Sequence, residues 1–242
     1  MAVVGHVAAL FRYPVKSMRA EQLDAVDISW QGLAGDRRWA FIGDSNAYSG
    51  FPWLTIRDRP EMALYRPHFA EPDRPDASQT LVRTPSGAEL DVAEPALASE
   101  LGPGVRVIKQ SRGIFDTMPL SLLSKQTVSS LGRLVGADLT AVRFRPNIVV
   151  DVDGDVDVDG SGSGDFPEDS WIGRILRVGT LRMRVDQRDS RCVLVTIDPD
   201  TLHRNPEVLR AITLHRDAKL GVYGSTVAPG RVAIGDAIEL ES

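Results

Sequence analysis

The chain has 242 residues, 43% hydrophobic and 25% charged, a balance that excludes a disordered polymer and can bury one large core or two smaller ones. Its 28 basic and 33 acidic residues leave a formal charge of −5, so no global positive field speaks for nucleic acid or an anionic membrane, and a small-molecule substrate is favoured. One cysteine, Cys192, excludes an internal disulfide, a CxxC pair, a Cys₄ zinc site and a self-contained iron–sulfur cluster. With no basic leader and no apolar run near the ~20 residues that span a bilayer, a reducing cytoplasm is expected.

In chain order, residues 3–11, 22–30, 38–42, 53–56 and 79–84 are rich in apolar and β-branched positions between Gly-, Pro- and Asp-containing turns, and they predict short strands. Such spacing without long helical windows points to a barrel or sandwich. A brief helix over 94–101 should stop at Gly102-Pro103-Gly104. Ser124 is a candidate cap for a helix through Val128, Leu131 and Leu134, with Gly136 as its stop. Residues 144–150 and 174–185 then read as strands, followed by an apolar strand after Cys192. A helix over 206–214 opens on Pro206, and 230–240 reads as a turn and closing strand. The fold class is therefore α+β, mostly β, with residues 1–92 and 116–242 as two domains joined by 93–115.

One segment departs in composition. Residues 151–165 hold Asp155, Asp157, Asp159 and Gly160 in the spacing that begins a calcium loop, but the twelfth position is Phe166, where a bidentate Glu is required. A solvated acidic loop is expected there, and calcium is not.

Four candidate sites carry polar chemistry. Lys16 and Ser17 follow the strand break at Pro14 and form a phosphate seat with free backbone N–H groups, or an ordinary turn. Arg37 and Arg57 add guanidinium forks suited to phosphate oxygens. Arg145 and Asn147 flank a proline that fixes the backbone, and buried without partners either would be costly. Cys192 has Arg188 and Arg191 nearby, which favours a thiolate, yet a free cysteine is usually core filling. Strand alternation would put Arg191 on the face opposite Cys192 and leave Ser190 and Leu194 on the sulfur's side. His6, His68, His203 and His215 show no metal-ligand spacing, and no GxSxG, P-loop or GxGxxG occurs.

Taken in order, Tyr13-Pro14-Val15-Lys16-Ser17, Gly35-Asp36-Arg37-Arg38-Trp39, Asp116-Thr117, Phe144-Arg145-Pro146-Asn147-Ile148-Val149, Glu168-Asp169-Ser170-Trp171, Ser190-Arg191-Cys192 and Asp198-Pro199-Asp200-Thr201 resemble the MOSC family, the molybdenum cofactor sulfurase C-terminal domain proteins. The likeness is greatest to its amidoxime-reducing branch, and it implies an N-terminal MOSC β-barrel domain followed by a MOSC β-barrel domain with flanking helices. It further implies that Cys192 binds the molybdenum of a molybdopterin cofactor and is the catalytic ligand, a role suited to a soft thiolate. Lys16, Ser17 and Arg37 would grip phosphate and pterin from one domain, and Asp116, Thr117, Arg145, Asn147 and Ser190 from the other.

The implied activity is reduction of N-hydroxylated compounds by a molybdenum oxidoreductase. Electrons would come from a separate ferredoxin-, cytochrome b5- or flavoprotein-type donor, because the iron–sulfur domain that some bacterial relatives append has no cysteines here. Two rival readings keep the fold: a sulfur carrier with a persulfide on Cys192, and a molybdopterin-binding module without turnover. MOSC domains are also associated with pyridoxal phosphate proteins, though nothing here identifies a Schiff-base lysine. Met118 replaces a small polar residue of the close relatives, and the acidic segment lengthens a connection that is short in them.

Overall fold

A computed structural model describes residues 2–44, 50–153 and 164–241. Asp155, Asp157, Asp159 and Gly160 of the calcium-like spacing lie outside the described residues. The flanks of that segment are tied to a helix: Asp151 accepts from Lys125 at 2.6 Å and Asp165 from Ser130 at 2.7 Å.

The described residues form sixteen strands and three α-helices, a mostly β, α+β fold. The strands are β1 (Ala2–Arg12), β2 (Glu21–Leu23), β3 (Ala25–Ser29), β4 (Gly32–Leu33), β5 (Trp39–Ile42), β6 (Arg66–Phe69), β7 (Thr80–Arg83), β8 (Glu89–Asp91), β9 (Arg106–Lys109), β10 (Leu120–Ser124), β11 (Ile148–Val152), β12 (Ile175–Val178), β13 (Leu181–Ser190), β14 (Lys219–Ala228), β15 (Gly230–Ala233) and β16 (Ala237–Leu240). The helices are α1 (Pro95–Leu101), α2 (Lys125–Val135) and α3 (Pro206–Arg216).

Seven strands close on themselves in the order β11-β10-β14-β13-β12-β16-β1, with β1 pairing back onto β11 and β2 hanging from β1. Closure leaves no free edges in the barrel. The first strand of the chain thus completes a barrel otherwise built from the second half. Along β13, Leu181, Met183 and Val185 alternate with Arg182 and Arg184, and the apolar set joins Val4, Leu10, Leu122, Ile148 and Val178 inside. A second core lies under two smaller sheets, β5-β9 and β6-β7-β8, and α1, around Val15, Met18, Phe41, Met62, Val82 and Leu97, whereas the β15-β3-β4 sheet packs Val26, Ile28, Leu33 and Val232 into the barrel core.

The third core sits between α2 and α3. Ser124 caps α2 by accepting from the Thr127 N–H at 3.0 Å, and Gly136 ends it in the left-handed conformation at φ 63°. Leu131 and Val128 face Val208 and Ile212 of α3, which opens on Pro206 with Asn205 as its cap. Among the described residues no helix is long and apolar enough to cross a membrane.

Five predicted strands require correction: 22–30 divides at Asp24 into β2 and β3 of different sheets, 174–185 turns back at Gly179-Thr180 as the β12–β13 hairpin, and three others are not strands over their predicted range. Residues 53–56 contribute only an isolated bridge at Trp53, because Asp58 accepts from the Thr55 N–H and hydroxyl, both at 3.0 Å, and folds the chain into a turn. The strand over 144–150 starts only at Ile148, since Ala141–Phe144 is a 3-10 turn and Arg145 is left-handed at φ 56°. After Cys192, Val193–Thr196 is likewise a 3-10 turn, held by Thr196 Oγ1 donating to Val193 O at 2.7 Å. Cys192 therefore lies in no strand, so alternation does not set its face, and the residue is exposed instead of buried.

Candidate functional site

One cleft runs between the turn that leaves β1, the Ile114–Met118 segment, the Arg143–Asn147 stretch and the ends of β13 and β14. Its wall includes Lys16, Ser17, Arg37, Arg57, Asp116, Arg145, Asn147, Ser190 and Cys192, so residues far apart in sequence meet there. Thr117 is exposed and does not line it. Six basic side chains, the four above with Arg143 and Arg191, face two carboxylates, Asp116 and Asp189. In a chain of net charge −5, that local excess marks an anion site.

Burial makes this charge expensive, and the structure shows how it is held. The chain leaves β1 at Tyr13, and Ser17 takes a left-handed conformation at φ 68°, which turns Lys16 inward. Lys16 Nζ donates to Asp116 Oδ1 at 2.6 Å and to Ile114 O at 3.1 Å. Burial, ahead of the opposing pull of Asp116, lowers the Lys16 pKa. Burial raises the Asp116 carboxyl, but Lys16 with Arg37 and Arg145 outweighs it and leaves it below the usual carboxylate range.

Arg37 and Arg145 both adopt positive φ, 51° and 56°, and their guanidiniums lie over the Tyr13 ring, at 4.6 and 4.2 Å. Tyr13 is fully buried, donates to Pro146 O at 3.1 Å, and its pKa is pushed up to about 12 by burial. Asp36 ties the cluster: it pairs with Arg37, accepts from the Tyr13 N–H at 2.7 Å and from Asn147 Nδ2 at 3.1 Å. Asn147 also donates to Phe11 O and accepts from the Ser121 N–H, both at 3.2 Å. Its amide hydrogens are thus used within the protein, which makes it a positioning residue.

Arg145 differs. Nη1 donates to Met18 O at 2.9 Å, whereas Nη2 is buried with no partner, and burial brings its pKa down to about 10, which still leaves it charged at neutral pH. An unpaired guanidinium N–H in a cationic cleft is the group an anionic ligand would satisfy.

Sequence reasoning missed Arg143, Asp189 and Tyr223, and named Arg191 only as a charge near the sulfur. Arg191 does not bathe the sulfur in positive charge. It is a buried clamp, with Nε at 2.8 Å and Nη2 at 2.6 Å from Leu220 O, Nη1 at 2.7 Å from Phe144 O, and Nη2 2.8 Å from Asp189. Arg143 donates to Val195 O at 3.3 Å and to Asp198 at 2.7 Å, fixing the turn that begins at Cys192. Asp198 in turn accepts from the Asp200 and Thr201 N–H groups at 3.0 and 2.9 Å, so the Asp198-Pro199-Asp200-Thr201 motif braces the cysteine loop. The signal for Arg143 was its neighbour Arg145, two residues on. For Tyr223 there was none, since β14 itself is interrupted by Gly221 and Gly224.

The clamp depends on Gly221. At φ 71°, a Cβ there would lie 2.9 Å from Leu122 O and 3.3 Å from Arg191 Nη2. Gly221→Ala is expected to lower stability by about 1–3 kcal/mol in urea unfolding, through left-handed strain and the backbone clash. A loss below ~0.5 kcal/mol would show that Arg191 shifts freely.

Among the described residues no three His, Cys, Asp or Glu side chains converge as a metal site. The cleft offers a single thiol, beside the thioether of Met118, so a metal held there must bring most of its own ligands. A barrel whose cationic cleft carries one exposed thiol is a frame for an anionic, metal-bearing cofactor, and its residues fit one: cations for acidic groups, an unsatisfied Arg145 N–H, and Cys192 on the rim. The chain belongs to the MOSC family: the MOSC domain model matches residues 109–239 and the MOSC N-terminal beta barrel domain model residues 4–112.

Among its relatives, mitochondrial amidoxime-reducing component 1 of Mus musculus is 25% identical over 98% of this chain and 82% of that protein. Molybdenum cofactor sulfurase of Drosophila mojavensis is 26% identical over 87% of the chain, which spans about a third of that protein, 30% of its length. The YUAD protein from Bacillus subtilis shares the fold, with a TM-score of 0.53 at 15% identity, covering 99% of this chain and 96% of that one.

Proposed function

We propose that the chain binds a molybdenum–molybdopterin cofactor in the cationic cleft and reduces N-hydroxylated compounds to the corresponding amines or amidines. The observation that carries the reading is the meeting of an unpartnered Arg145 Nη2, buried Lys16 and exposed Cys192 in one cleft. The likeness to the amidoxime-reducing component over 98% of this chain and 82% of that protein supports the reaction class.

When bound, the cofactor supplies the two-electron chemistry that breaks the N–O bond. The chain's own residues bind and orient. Cys192 would ligate the metal, Lys16, Arg37 and Arg145 would hold the acidic groups, and Ser17, Arg57 and Ser190 line the remaining wall. Asp36 and Asn147 keep the two guanidiniums aimed, and Arg143 keeps the cysteine turn in place. Electrons come from a separate redox protein of ferredoxin, cytochrome b5 or flavoprotein type, in the cytoplasm.

The test is protein made in cells that synthesise the cofactor, analysed for metal and extractable pterin, then given an aryl amidoxime and a reduced viologen. Near-equimolar molybdenum and pterin with amidine formation is expected. A well-folded preparation from such cells without pterin would sink the proposal.

The exposure of Cys192 also supports a second reading, transient persulfide carriage, as the names of the sulfurase relatives suggest. Intact-mass analysis separates the two: a +32 Da adduct on Cys192 in metal-free protein favours carriage (the mass of one sulfur, roughly 32 Da).

A further inference from the structure

Two residues of β14, Leu220 and Gly221, lie opposite the single Asp189 of β13, because the register shifts between Arg188 and Ser190. Such bulges re-aim a side chain, and here one puts a carboxylate into the cleft wall with 2% exposure. Asp189 is held by Arg191 Nη2 at 2.8 Å and by the hydroxyl of Tyr223. Tyr223 is half-buried, lines the same cleft and pairs with Gln187, two residues before Asp189, so acid and hydroxyl share one wall. Arg191 spends its other N–H groups on Leu220 O and Phe144 O, so its clamp does not require a charged partner at 189.

We propose that Asp189 and Tyr223 form a proton relay, with Asp189 holding the proton and the Tyr223 hydroxyl passing it to the oxygen that leaves the substrate nitrogen. The inference rests on the N–O reduction proposed above. In that reaction the N–O bond breaks, and the external redox protein supplies two electrons. Nitrogen takes one proton from solvent. The departing hydroxyl takes the Tyr223 proton and leaves as water, while Tyr223 recovers its proton from Asp189. Solvent then reprotonates the Asp189 carboxylate.

The electrostatics agree with these roles. Burial pushes the Asp189 carboxyl up to about 6, against the downward pull of Arg191, the Tyr223 hydrogen bond and Arg37, with Asp116 adding to the rise. Burial, then Asp189, raises the Tyr223 pKa, so that hydroxyl stays protonated and can relay.

The experiment uses the cofactor-loaded protein with Asp189→Asn and Tyr223→Phe, rates being normalised to bound molybdenum. Asparagine keeps a polar partner for Tyr223 and Arg191 but cannot titrate. Wild-type turnover should fall as pH rises through about 6, the Asp189 pKa. Both variants should lose about 10²-fold or more in rate, the size of a general-acid contribution, and D189N should lose that pH dependence. A readout independent of turnover is the carbon-detected NMR titration of carboxyl groups in the metal-free chain, where one resonance near 6 should vanish in D189N.

Full rate and an unchanged pH profile in D189N would overturn the relay alone, as would an Asp189 carboxyl titrating near the ordinary value of about 4. Fully loaded wild-type protein that reduces no N-hydroxylated compound would overturn the underlying function, and the relay with it.

Discussion

Cys192→Ser is expected to strip the protein of molybdenum while leaving its fold untouched. The residue is exposed, and it precedes the 3-10 turn Val193–Thr196 without any side-chain cap hydrogen bond. The turn is held by other groups: the Cys192 carbonyl accepting from the Val195 N–H at 3.2 Å, Thr196 Oγ1, and the Arg143 guanidinium on Val195 O. None of these involves the sulfur, and serine can adopt the same extended backbone. Unfolding free energy should therefore change by less than about 0.5 kcal/mol, the usual range for a surface substitution.

Metal binding should respond very differently. The change replaces a soft, ionisable thiol by a hydroxyl that stays protonated at neutral pH, at the one thiol in the cleft. Metal analysis of wild type and variant purified side by side should show at least a tenfold fall in molybdenum per chain. Retained metal in C192S would remove the cysteine from the coordination sphere and with it the central claim of the proposed function. Coupled loss of fold and metal would instead show that the sulfur has a packing role that its exposure does not reveal.

How much of this was legible beforehand depended on how local the cause is. The ends of α2 were readable because Ser124 and Gly136 act through their own backbone and nearest neighbours, and Pro206 at the first turn of α3 does likewise. The run Val193-Leu194-Val195-Thr196 reads as a strand by composition. It folds as a 3-10 turn because Thr196 bonds back to Val193 and Val195 is drawn into the α2–α3 core.

Arg145 is similar: nothing local marks it as left-handed, and its conformation is stabilised by Met18 O and the Tyr13 ring, more than a hundred residues away in sequence. The candidate site was legible as motifs, because short polar runs carry their own chemistry. The pairing of Asp189 with Tyr223 was not, since it depends on a bulge in a strand whose glycines hide it.

The largest effect on stability is expected from Asp36→Asn. This carboxylate is 1% exposed and meets three donors: the Tyr13 N–H, Asn147 Nδ2 and Arg37. An amide of the same shape keeps one acceptor oxygen and turns a donor NH₂ toward one of those donors. It also removes the counter-charge beside two guanidiniums that share one buried ring, Arg37 and Arg145. Removing one partner of a buried ion pair costs about 3–5 kcal/mol, because the remaining charge is neither paired nor solvated.

Against a typical domain stability of about 5–15 kcal/mol, that loss should bring D36N close to its unfolding threshold in urea. Asp116→Asn provides the contrast. Asp116 also faces a buried cation, Lys16, but its side chain is 50% exposed, and Lys16 keeps the Ile114 carbonyl. Solvent screening should hold its loss to about 1 kcal/mol. If the two variants prove equally stable, Arg37 must draw its compensation from elsewhere, and Asp36 would not be the group that holds the cationic wall together.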